Sequence, residues 1–139
     1  MIWGDLLTRC AVASEPLSRA LGLAFGVSTD SVSVVASIED SPGSCGVVAE
    51  VSELEGEFRR KVSIYLDESV RQADALSVAR AVAASLSCEV LIPDDTTDPY
   101  SMILVCPSGA IAGIAVDVDA LDVRGEYRVM RVEPHEEEK

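Results

Sequence analysis

From Glu57 to Leu66 the sequence alternates, with Phe58, Val62, Ile64 and Leu66 on one side and Arg59, Lys61, Ser63 and Tyr65 on the other. Successive side chains of a strand point to opposite faces, so the pattern predicts a strand with one face in a core and one in water. Half-wetted strands of this kind belong to antiparallel sheets. The same period runs through Ser31 to Ile38 (Val32, Val34, Ala36, Ile38) and through Gly46 to Ser52 (Val47, Ala49, Val51). Ser41-Pro42-Gly43 and Glu55-Gly56 supply the turns between these three strands. Arg60 falls on the apolar side and is expected to pair with an acid at the sheet edge or to snorkel.

The period lengthens after Asp74, where Leu76, Ala79, Val82, Ala83 and Leu86 form a helical stripe ending near Leu86. Leu6, Leu7, Cys10 and Ala11 also recur at helical spacing, and Ser14-Glu15-Pro16 reads as a second start, with Ser14 as N-cap. Leu17, Ala20 and Leu21 continue the stripe and Gly22 can end it, which predicts one kinked helix from about Leu6 to Leu23. Trp3 is expected to pack that helix on the sheet or to meet a partner. Further strands are expected over Cys88 to Ile92, Ser101 to Cys106, Ala110 to Val118 and Glu126 to Val132. Pro107-Ser108-Gly109 makes the middle pair a hairpin, and Ser101 to Cys106, apolar on both faces, should be central. The resulting order, α-β-β-β-α-β-β-β-β, is an α+β two-layer sandwich: a mainly antiparallel sheet with two helical segments. Its 139 residues form a single domain over 1–132, followed by a charged C-terminal tail over 133–139.

Charge bears on the partner. Lys and Arg number 11 against 24 Asp and Glu, a net charge of −13. No basic residue stands between Arg19 and Arg59 or between Arg80 and Arg124, whereas both stretches are rich in acids. Hydrophobic residues make up 48%, so the acidity is not that of a disordered chain. Acidic excess argues against nucleic acid and against anionic membrane surfaces, and it favours basic partners. No apolar run approaches the roughly 18 residues of a membrane span, and the first residues lack the pattern of a secretory signal. A cytoplasmic protein is expected. Cys10, Cys45, Cys88 and Cys106 stand far apart with no C-x-x-C pair, and reduced structural thiols are the expectation.

No catalytic set accompanies the charge. His135 is the one histidine and lies in the tail, where nothing would orient it as a base. The run Asp94-Asp95-Thr96-Thr97-Asp98-Pro99 lacks the glycine and terminal Glu of a helix–loop–helix calcium site, so no metal and no cofactor is assigned. It reads either as a plain turn or as an exposed acidic loop leading to Tyr100, an aromatic suited to an interface anchor. Asp117, Asp119 and Asp122 form D-x-D-x-x-D at a strand end. Asp117 and Asp119 would share a strand face, or an Asp would cap the following turn. The candidate partner-binding residues are therefore Asp94, Asp95, Asp98, Tyr100, Asp117 and Asp119. Arg59-Arg60-Lys61, the one basic cluster, reads as internal charge balance.

The passage Leu86-Ser87-Cys88-Glu89-Val90-Leu91-Ile92-Pro93-Asp94-Asp95, then Pro99-Tyr100-Ser101-Met102-Ile103-Leu104-Val105 and the Pro107-Ser108-Gly109 turn, resembles small acidic immunity proteins of bacterial toxin systems. The resemblance implies a non-catalytic binding protein, monomeric when free, that occludes the active or substrate-binding site of a cognate and basic toxin domain. The first five expected elements are also similar to those of type III secretion export chaperones, which run α-β-β-β-α-β-β-α and end on a helix. A third alternative is a metal-dependent enzyme in which Asp94, Asp95 or Asp98 converges with Asp117 and Asp119.

Overall fold

A computed structural model describes residues 2–37, 39, 46–70, 73–94 and 98–130. The expected Ser41-Pro42-Gly43 turn, Asp95, Cys45, His135, the ends of two expected strands (Ile38 and Val132) and the 133–139 tail lie outside the described residues. The elements are β1 (Ile2–Thr8), α1 (Ser14–Phe25), β2 (Val32–Val35), β3 (Val47–Glu53), β4 (Arg60–Leu66), α2 (Ala75–Leu86), β5 (Val90–Pro93), β6 (Ser101–Val105), β7 (Ile111–Val116), α3 (Val118–Arg124) and β8 (Val129–Met130). The eight strands of the described residues join one sheet in the order β2-β3-β4-β1-β5-β6-β7-β8. Only β2 and β3 run parallel; the other pairs are antiparallel. The protein is α+β with a mainly antiparallel sheet, as expected, but one pair is parallel and the order of elements is not the one expected.

The first correction is at the N-terminus. Residues 2–8 are a strand in the middle of the sheet, paired with β4 on one side and β5 on the other. Leu6 and Leu7 are 0% and 3% exposed because they point to opposite faces of a sheet that is covered on both sides there. Two adjacent apolar residues in such a strand look the same in sequence as two neighbours on a helical stripe. Trp3 packs edge-on against Phe25 of α1, with centroids 5.4 Å apart, and its indole N–H donates to the Ala73 carbonyl at 2.9 Å. That is the packing role, played from a strand.

Helix α1 starts at Ser14 itself, with Ala13 as the uncapped N-cap, and continues past Gly22 to Phe25. Gly22 does not stop the helix. A Cβ there would meet the Val27 carbonyl oxygen at 2.9 Å, so the glycine admits the returning chain, whose Val27 amide bonds Gly22 O. The left-handed stop is Gly26, at φ 71°. Helix α2 matches its expectation: Asp74 caps it, accepting from the Ser77 amide at 3.1 Å and the Ser77 hydroxyl at 2.8 Å. Those two bonds hold the Asp74 carboxyl below the usual carboxylate range.

Alternation along the strands divides the buried residues into two clusters. Leu6, Val47, Ala49, Val62, Ile64, Val90, Ile92 and Val105 pack with Leu17, Leu21 and Phe25 of α1 and with Val78, Ala79 and Val82 of α2. The alternate residues Leu7, Leu91, Met102 and Val116 pack with Phe58 and, less buried, with Leu121 of α3 and Tyr127. Phe58 therefore joins the opposite face from Val62 and Ile64, a second correction: it precedes β4, which begins at Arg60. Helices cover different ends of the sheet on different faces, which departs from a two-layer sandwich with two helical segments. The β6–β7 hairpin is found as expected, closed by Gly109 N to Cys106 O and Cys106 N to Ala110 O, both at 2.9 Å. β6 is an interior strand.

Candidate partner-binding face

Strands β5 and β6 meet through the connection that carries Asp94 and Asp98, and β7 leads directly into α3. The expected D-x-D-x-x-D strand end is instead the start of this helix. Asp117 is its N-cap, and one carboxylate oxygen accepts from the amides of Asp119 at 3.0 Å and Ala120 at 3.3 Å. Asp117 and Asp119 consequently do not share a strand face. Asp119 lies in the first helical turn, where its charge meets the positive end of the helix. The signals for this helix were present: an Asp at its start and Gly125, at φ 68°, just past its end. Seven residues are too few for a helical period to stand out from the strand before them.

The β6–β7 register brings the two acidic segments together. The Val116 amide donates to the Tyr100 carbonyl at 2.9 Å, so Tyr100 sits beside the start of α3. Its phenol donates to Asp122 Oδ2 at 2.8 Å, and its ring packs on the second cluster. The hydrogen bond to Asp122, with desolvation and the nearby charges of Asp122 and Asp98 behind it, raises the Tyr100 hydroxyl above its ordinary pKa. Asp98 Oδ1 accepts from the Tyr100 amide at 2.9 Å, and the Asp94 carboxylate accepts from the Ser101 hydroxyl. Of the expected site residues, Asp94, Asp98, Tyr100, Asp117 and Asp119 thus belong to one end of β6–β7 and α3. Asp95 lies outside the described residues. Asp122 is the residue the sequence reading left out of the site, although it is the third acid of the D-x-D-x-x-D run.

Arg124 and Arg128 are cations beside this end, and of the two Arg124 pairs with Glu126 at 3.4 Å. In the basic cluster, Arg60 lies 4.0 Å from Glu53 and Lys61 lies 3.9 Å from Asp5, which agrees with internal charge balance. These pairs are at least partly exposed and contribute little to stability. Acids of the other Lys/Arg-free stretch serve locally: Glu57 Oε1 accepts from the Val129 amide at 3.0 Å, and Glu50 from the Tyr65 hydroxyl at 3.3 Å. Among the described residues no three His, Cys, Asp or Glu side chains are grouped to hold a metal ion. No described helix is long and apolar enough to cross a membrane. An open cleft of about 670 Å³ lies at the other ends of β5 and β6, lined by Arg9, Cys10, Ser87, Cys88, Glu89 and Pro107.

Comparison of the chain with protein-family models, with curated proteins and with solved structures finds no match in any of the three.

Proposed function

We propose that the protein is a non-catalytic binding module whose acidic face, formed by the β5–β6 connection and α3, docks a basic protein partner. The observation that carries this reading is Tyr100, an aromatic whose hydroxyl is tied to Asp122 and whose amide is bonded by Asp98, beside the start of α3. An aromatic anchor with a polar, charged surround is the usual make-up of an interface hot spot. The net charge of −13 gives such a face long-range attraction for a basic surface. In its finer form, the module is a cytoplasmic immunity protein, monomeric when free, that occludes the active or substrate-binding site of a cognate toxin domain. Co-expression with the C-terminal domain of the protein encoded by the adjacent gene tests this. Rescue of growth that is weakened by Tyr100→Ala combined with Asp98→Ala supports the reading. A non-toxic neighbour, or a toxic one that is not bound at low salt, overturns it.

A second reading, an export chaperone, is favoured by one observation, the apolar Ile111 and Met130, each 45% exposed on β7 and β8; against it, β1 precedes α1 and β8 follows α3. A stable dimer that holds an unfolded apolar segment would put this reading first.

A further inference from the structure

The cleft at the start of β5 contains two cysteines that the acidic face does not use. β1 and β5 pair Leu7 with Leu91 and Thr8 with Val90, and the Arg9 amide donates to the Glu89 carbonyl at 3.0 Å. One residue further on each segment stand Cys10 and Cys88, just beyond the last paired residues of β1 and β5. An antiparallel ladder spaces opposed residues about 4.5–5.5 Å apart at Cα, within the range a disulfide spans. Cys88 Sγ already lies against Cys10: it accepts from the Cys10 backbone amide at 3.1 Å, and the two thiols are within hydrogen-bonding reach. Cys10 is half-buried at the cleft wall, whereas Cys88 is 6% exposed.

We propose that Cys10 and Cys88 are a reversible dithiol–disulfide pair, oxidised in the cleft by a low-molecular-weight disulfide such as oxidised glutathione. The Cys10 thiolate, the more accessible of the two, attacks one sulfur of the oxidant. A protein–glutathione S–S bond forms, the oxidant's own S–S bond breaks, and one glutathione thiolate leaves and takes a proton. Cys88 then gives up its proton to solvent and attacks Cys10 Sγ, which releases the second glutathione as a thiol. Two protein thiols lose two electrons in total and one glutathione disulfide becomes two thiols. Burial and the contact with Cys10 push the Cys88 thiol up to about 11, which suits it to the second, intramolecular attack and not to the first. The crosslink joins positions 78 residues apart, one just before α1 and the other just after α2. It therefore fastens the bases of both helices that cover the larger cluster.

The test is to equilibrate the full, reduced chain in graded mixtures of oxidised and reduced glutathione, quench by alkylation, and map the peptides without reduction. A Cys10–Cys88 linked peptide should accumulate while Cys106 stays alkylatable, and the linked form should melt several degrees higher. In Cys88→Ser, glutathione should remain trapped on Cys10. If that variant fails to fold, the map of the unaltered chain decides alone. The proposal is overturned if both thiols stay alkylatable in the most oxidising mixture, or if Cys10 links to Cys45 or Cys106 instead.

Discussion

The two ends of this sheet are built on different terms. From β3 to β5 the strands rest on α1 and α2 through a broad aliphatic cluster, in which Leu6, Val62, Ile64, Val78 and Val82 are all 0% exposed. Around β6, β7 and α3 the buried cluster is smaller, lies on the other face, and is closed by the partly buried Tyr100, Leu104, Ile114 and Leu121. Acids occur in both halves but are used differently. In the helix-covered half, Asp74 caps a helix and Glu50 meets a tyrosine, whereas in the far half Asp98 and Asp122 both bond Tyr100, Asp94 bonds the neighbouring Ser101, and Asp117 caps α3. A lightly buried end on a well-packed base would suit the binding face proposed above, since the base holds the fold without it.

The difference should first appear as stability. Leu6→Ala, at the centre of the larger cluster, is expected to cost about 4–5 kcal/mol in urea unfolding, against about 2 kcal/mol for Met102→Ala at the edge of the smaller one. The reverse order would mean that the far half carries the fold. Asp117→Ala comes next, losing about 1 kcal/mol together with helical signal, because it leaves the first amides of α3 uncapped. Asp119→Asn should change stability by no more than about 0.5 kcal/mol yet slow association with a basic partner, as neutralising an exposed charge does.

Titration sharpens the comparison further. The raised pKa values of Tyr100 and Cys88 disfavour their ionised forms in the folded protein. Their contributions are complete below the ordinary values of 10.0 and 9.0 and are lost as pH rises through the folded values, about 11 for Cys88. Stability should therefore fall on the alkaline side. Asp122→Asn should return the Tyr100 resonance, followed by NMR, towards its ordinary titration, while Cys88 is unmoved.

What the sequence made legible was whatever depended on neighbours along the chain. Asp74 and its stripe located α2 to within a residue, and Pro107-Ser108-Gly109 located a hairpin, because caps and turns are local chemistry. Strand β1 was misread because burial on both faces erases the alternation that distinguishes strand from helix at Leu6 and Leu7. The acidic run and Tyr100 were visible as candidates. Their junction with α3 was not, since the Tyr100–Asp122 bond spans 22 residues and depends on the β6–β7 register. The Cys10–Cys88 pair is more remote still, and no spacing rule in the sequence announces it.

The most direct test of the binding face is hydrogen exchange of the protein alone and in complex with the neighbour-encoded domain. New protection is expected over Asp94–Ser101 and Val118–Arg124, reduced in Tyr100→Ala. Protection confined instead to the β2 edge, or to Ile111 and Met130, with the acidic end unchanged, would contradict the account.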